Sequence, residues 1–185
     1  CRVIADTDTP TAVGIGHERL WYKTSVTSRI EGPDHMDATT ESIWERVLHD
    51  PQLRDLPFKI ETNRHGQLVL SPHTPFHSRF QSRVLRLPDE YAPPSGEATI
   101  EFAVQTSRGV KVPDVVWLSE DRWSQIPEDA EASPVVPELC VEGRSAGNTD
   151  EEMTEKRRLY LEEGAQEVWV CDEEGALRFF DAEGE

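Results

Sequence analysis

Two short apolar runs each deliver one carboxylate: VKVPDVVWL carries Asp114, and LCVE carries Glu142. Their flanks are Val112, Val115, Val116 and Trp117 for one acid, and Leu139 and Val141 for the other. Solubility does not explain acids in such settings. Carried at the ends of neighbouring strands, they would come within bridging distance of one hard divalent cation. Downstream, a helix from Asp150 to Glu163 sets Met153, Lys156 and Tyr160 at i, i+3 and i+7, on one face. Met153 and Tyr160 draw Lys156 inward, where a buried ammonium requires a negative partner, and the Asp114/Glu142 pair is the candidate. The same spacing is met by a lysine whose amine snorkels past Tyr160 to solvent, so helical geometry alone leaves both readings open. An ion held by two acids beside a lysine can activate a water, neutralise a phosphodiester and assist its leaving oxygen. No Cys/His cluster lies nearby, which selects magnesium, with manganese as a substitute, over zinc.

The elements that must position these residues read as follows. Asp37 or Thr39 can cap a helix using Ile43, Trp44, Val47 and Leu48, stopped by Asp50-Pro51. PFKIET and QLVLS form a hairpin around NRHG. A second helix starts near Thr74-Pro75, with Phe76, Phe80, Val84 and Leu87 at helical spacing. Residues 97 to 105 alternate as one strand, with Ile100, Phe102 and Val104 on one face and Glu101 on the other. SRG turns the chain into the Asp114 strand, and residues 119 to 134 form a polar surface loop with room for a helical turn. Thr149 and Glu152 make a capping box for the Lys156 helix, and Gly164 stops it. EVWVCD and ALRFFD close as a final hairpin around DEEG. This order predicts an α/β fold with one central sheet.

The 185 residues favour a single domain. Residues 1 to 36 show no sustained period, and Met36 is a natural start, so a leader outside the fold is expected before a domain at 37–185. No stretch is apolar and long enough to cross a bilayer. Cys140 and Cys171 sit in strand patterns without metal or disulfide spacing, which implies reduced thiols and a cytoplasmic protein. The net charge of −17 opposes unspecific polyanion binding, so nucleic-acid contact has to use local basic surface, metal ions or partner subunits. Arg79, Arg83 and Arg86 could follow a phosphate backbone or form an ordinary solvated helix face.

The run PDVVW, PELCVE and then S-x-x-N-T-x-x-E-M-x-x-K-x-x-x-Y-L-x-x-G-A-x-E-V-W-V resembles the Uma2-type restriction endonuclease family of the PD-(D/E)XK superfamily. Here that last run is Ser145, Asn148, Thr149, Glu152, Met153, Lys156, Tyr160, Leu161, Gly164, Ala165, Glu167, Val168, Trp169 and Val170. The resemblance spans residues 39 to 182, more weakly toward the N-terminus. It implies a restriction-endonuclease-like, four-stranded mixed central sheet flanked by helices, with added β-hairpins. It implies that Asp114 and Glu142 are magnesium ligands, that Glu61 is a further ligand, and that Lys156 is the catalytic lysine, moved from two positions after the glutamate to the next helix. His77 matches a family histidine, and Glu101 is a further acid near the site. This chain has Gly143 where an apolar residue is usual, and Arg144 at the superfamily's ordinary lysine position. Arg144 can clamp a phosphate bidentately but cannot serve as a base. Arg144, His77 and Glu101 are therefore candidate substrate-binding residues.

The reading is a metal-dependent endonuclease acting on DNA. A homodimer suits cleavage of both strands of a two-fold duplex. The alternative is an inactive nucleic-acid or protein interaction module on the same fold, favoured by the net charge and the altered EGRSAG turn.

Overall fold

A computed structural model describes residues 3–5, 42–144 and 147–184. The central layer is a five-stranded mixed sheet in the order β10-β9-β8-β7-β4. Its strands are β4 (Gly96–Ile100), β7 (Val115–Ser119), β8 (Leu139–Gly143), β9 (Glu167–Cys171) and β10 (Leu177–Phe180). Only β8 and β9 run parallel; every other neighbouring pair is antiparallel. The sheet thus has five strands where the resemblance implied four.

Strands β7 and β8 are buried on both faces and show it as near-continuous Val, Leu and Cys. Val116, Leu118, Cys140 and Val168 face one way and pack with Tyr160 of α6 (Asp150–Glu162). Val115, Trp117, Leu139 and Val141 face the other way, against Val84 and Phe80 of α3 (Pro75–Val84). Helices therefore cover both sides. The exposed Phe179 packs edge-on against Trp169 at the sheet's margin.

A second sheet is ordered β1-β3-β2, with β1 (Val3–Ala5), β2 (Phe58–Thr62) and β3 (Leu68–Pro72). Val3–Ala5 belong to the segment expected to lie outside the fold, and they pair with β3. That expectation for 1–36 otherwise falls outside the described residues. Helices α1 (Ile43–His49) and α2 (Pro51–Arg54) pack on the hairpin through Val47, Ile60 and Leu68. Ser42 caps α1: its hydroxyl accepts the Glu45 N–H at 3.1 Å, and the Glu45 carboxylate returns to the Ser42 N–H. Asp37 and Thr39, the expected caps, lie outside the described residues.

Two expected continuous elements are broken. The strand expected over 97–105 ends with β4 at Ile100, because Glu101 adopts φ 51°, a left-handed conformation that turns the chain. The chain then enters β5 (Val104–Thr106), which pairs with β6 (Gly109–Lys111) in a separate ribbon. Ile100 consequently stays 44% exposed. The second helix divides at Leu85 into α3 and α4 (Arg86–Tyr91), since Pro88 lacks the N–H that would continue α3's ladder. The 119–134 segment contains one helical turn, α5 (Glu120–Trp123).

Candidate active site

Asp114 immediately precedes β7, and its N–H donates to the Val141 carbonyl at 3.0 Å. Because Val115 pairs with Val141 in an antiparallel register, Asp114 stands opposite Glu142. The Gly143 N–H also donates to Asp114 Oδ2 at 2.8 Å, fixing one carboxylate oxygen by backbone. Glu142 is held from the opposite layer: Tyr160 donates its hydroxyl to Glu142 Oε1 at 2.7 Å, and Lys156 donates to the same oxygen at 2.9 Å.

The local sequence of α6 explains why Lys156 arrives there. Thr149 accepts the Glu152 N–H and Glu152 accepts the Thr149 N–H, each at 3.1 Å, closing a capping box. At the other end Ala165 N–H reaches the Tyr160 carbonyl and Gly164 N–H the Leu161 carbonyl, with Gly164 at φ 110°, a Schellman stop. With both ends set, Met153, Lys156 and Tyr160 face the sheet. The Lys156 side chain is 12% exposed and does not snorkel out.

The hairpin contributes from a third direction. Ile60 packs toward α1, so Lys59 and Glu61 point the other way, into the cluster. Glu61 Oε1 accepts from Lys156 at 2.7 Å and from the Val112 N–H at 3.0 Å. Thr62 ties the hairpin to β6, accepting the Val110 N–H at its hydroxyl and the Lys111 ammonium at its carbonyl, each at 2.7 Å. Lys59 Nζ lies 2.5 Å from Asp114 Oδ1 and 3.7 Å from Glu142 Oε2. His77, on α3, places Nε2 3.0 Å from Asp114 Oδ1.

The result is an alternating chain of buried charges: Asp114, Lys59, Glu142, Lys156, Glu61. Burial alone pushes the Glu61 carboxyl up, yet the ammonium groups of Lys156 and Lys59 and the Lys156 and Val112 hydrogen bonds hold its pKa at about 2. Asp114 is held well below the usual carboxylate range, burial being overcome by Lys59 and His77. For both lysines burial opposes the charge, but the facing acids win and raise their pKa values. Lys59 and Lys156 are therefore fully cationic at neutral pH. Burial and the Glu142 charge push the Tyr160 phenol well up, so it acts as a fixed donor.

Not every candidate joins this cluster. The Glu101 carboxylate lies 3.7 Å from His73 Nδ1 on the surface; only its backbone N–H approaches, donating to the Asp114 carbonyl at 3.4 Å. Arg144 pairs with Asp150 at 2.7 Å, and its Nε is buried without a partner among the described residues. Ser145 and Ala146 of the same turn lie outside the described residues. Gly143 has a packing reason: a Cβ there would come within 2.6 Å of the Phe80 ring, which occupies the space of the usual apolar side chain.

Two clefts flank the cluster. One, of about 270 Å³, is lined by Lys156 with Arg64, Arg108 and Lys111, and also by Glu152 and Glu155. The other, of about 340 Å³, is lined by His77, Arg79, Phe80, Arg83 and Arg144, and also by Asp172, Glu173 and Glu174. In a chain of net charge −17 these clefts are lined by seven of the 19 Lys and Arg, with five acids beside them. Arg86 is not among their lining residues.

Sequence reading missed Lys59 and took Tyr160 for plain core. Lys59 carried a usable signal, since it stands two residues before Glu61 and so shares its strand face. Tyr160 carried one as well: it lies four residues after Lys156, and a buried phenol seeks an acceptor.

Comparison with known proteins points in one direction. The family profile of Uma2, described as "Putative restriction endonuclease", matches residues 50–184. No curated protein matches the chain. Among solved structures, a "putative nuclease belonging to DUF820" from Anabaena variabilis ATCC 29413 superposes with a TM-score of 0.55 at 18% identity. The match covers 69% of this chain and 81% of that one, and it shows a shared fold.

Proposed function

Because the chain belongs to the Uma2 family, whose profile spans residues 50–184, we propose that it is a magnesium-dependent endonuclease that hydrolyses DNA phosphodiester bonds. The observation that carries this reading is the convergence of three buried carboxylates with Lys156 between two arginine-lined clefts.

The donor chemistry fits a hard divalent ion: Asp114, Glu142 and Glu61 offer oxygens only, and their three charges exceed the two ammonium groups among them. Among the described residues the acids do not form a ready-made cage, because the lysines lie between them. Asp114 and Glu142 would hold the ion with Glu61 beside them, and manganese could replace magnesium. When bound, the metal supplies an activated water and charge neutralisation at the phosphate. Lys156, permanently charged, orients that water and stabilises developing negative charge; it is not a base. Tyr160 fixes Glu142, and His77 and the Gly143 N–H fix Asp114. Arg144 lines the second cleft and would serve as a phosphate clamp by exchanging its Asp150 partner for the phosphate. Glu101 would act only at the rim.

Residues 37–185 would form the catalytic domain, and a two-fold homodimer would address both strands of a duplex. No helix of the described residues is long and apolar enough to cross a membrane, and Cys140 and Cys171 are free, which suits a cytoplasmic enzyme. The net charge of −17 favours a second reading, an inactive interaction module whose acids and lysines only neutralise one another.

The test is cleavage of supercoiled plasmid with magnesium or manganese by wild type, Lys156→Ala and Arg144→Ala. Lys156→Ala is expected to abolish cutting, and Arg144→Ala to reduce it less. Wild type that binds DNA and never cuts it supports the interaction module. An inactive Arg144→Ala beside an active Lys156→Ala refutes the role given to Lys156.

A further inference from the structure

The two lysines of the cluster have different positions relative to the acids. Lys156 joins Glu61 to Glu142 from the helix layer. Lys59 joins Asp114 to Glu142, and those are the two acids that stand opposite each other on adjoining strands. The pair of carboxylates suited to share a cation therefore already shares one. We propose that Lys59 is a displaceable internal counterion, whose ammonium fills the cation position between Asp114 and Glu142 until a divalent ion takes it. The inference rests on the metal-dependent reading above and adds how metal entry is regulated.

Three features support it. Charge balance comes first: three carboxylates and two lysines leave one negative charge, whereas withdrawing Lys59 and adding a divalent ion brings the cluster to neutrality. Stem chemistry is the second. A lysine presents a compact charge on a flexible four-carbon chain and can swing away, unlike a planar, forked arginine. The third is architectural. Lys59 comes from the hairpin sheet, while Glu142 belongs to the central sheet and Asp114 immediately precedes its strand β7, and Glu61 stays tied by the Val112 N–H whether or not Lys59 leaves. Metal binding must then break a buried ion pair, which raises the apparent Kd of the ion. Without metal the cluster remains folded because its acids are not left facing one another.

Calorimetric titration with manganese tests this on wild type, Lys59→Met and Asp114→Asn. Lys59→Met is expected to bind manganese roughly tenfold more tightly or better, since the ion no longer displaces a buried partner. The same variant is expected to melt at lower temperature than wild type in chelator and to show the larger rise on adding manganese. If wild type binds and Lys59→Met binds equally or more weakly, the counterion role is wrong while the metal reading stands. If neither binds, or if Asp114→Asn binds as wild type does, the metal site itself is refuted and the inference falls with it.

A second measurement uses wild type alone, in case Lys59→Met does not fold. Acetic anhydride labelling of Lys59, read by mass spectrometry against the buried Lys111, is expected to rise on saturation with manganese. Labelling of Lys59 that stays unchanged at saturation overturns the proposal.

Discussion

Replacing Lys156 by methionine keeps an unbranched stem, one atom shorter, and removes the charge between Glu61 and Glu142. The ammonium lies 2.7 Å from one acid and 2.9 Å from the other, with the lysine 12% and the acids 2% and 5% exposed. At an effective dielectric of about 20, a unit pair near 3 Å is worth roughly 5 kcal/mol before desolvation is counted. Desolvation of the lysine itself offsets part of this, so the expected loss is the about 3–5 kcal/mol of a buried pair broken from one side. A domain of ordinary stability survives that loss. The damage also depends on pH in a way that a packing defect does not. In wild type Lys156 is the main charge that pulls the Glu61 pKa down to about 2 against burial. Without it burial pushes Glu61 upward, and protonation then relieves the repulsion as pH falls. Urea unfolding in chelator at about pH 7.5 and about pH 5 is expected to show a smaller deficit at the lower pH. A loss below about 1 kcal/mol at pH 7.5, or an equal loss at both pH values, would refute the buried bridge.

Wild-type acid unfolding follows the same logic. Glu61 and Asp114 have folded pKa values below their ordinary 4.5 and 3.8, so their contribution is present above those values and is lost as pH falls below them, for Glu61 toward about 2. Lys59 and Lys156 are raised above 10.5, so their contribution holds below that pH and fades only above it. Melting temperature against pH should therefore stay nearly level through neutrality and drop below about 4.5; a steep fall near pH 6 would contradict the cluster. Gly143→Ala is expected to cost about 1–3 kcal/mol in urea unfolding, because its Cβ meets the Phe80 ring at 2.6 Å and lies 3.3 Å from Asp114 Oδ2. Phe80→Ala in the same chain should recover part of the loss that Gly143→Ala adds, and additivity of the two would show that they do not clash.

Local patterns in the sequence determined a good deal about this protein. The capping box of Thr149 and Glu152, the Gly164 stop and the spacing of Met153, Lys156 and Tyr160 set α6 and its inward face, because those signals act within a few turns of one helix. The apolar runs around Asp114 and Glu142 marked central strands, since a strand covered on both faces has to be apolar throughout. The partners of those acids belonged to the tertiary structure. Lys59 and Glu61 reach the cluster only because α1 and α2 claim the Ile60 face of β2 and Thr62 binds the hairpin to β6, contacts far apart along the chain. The break at Glu101 is likewise invisible to alternation, which records side-chain pattern but not the φ of 51° that sends the chain into another ribbon. Gly143 reads as a departure in one dimension and as a necessity in three, where the Phe80 ring already fills its place. Periodicity and caps are encoded between near neighbours and can be read from them; which buried charge meets which depends on how separate layers dock, and only the folded chain decides that.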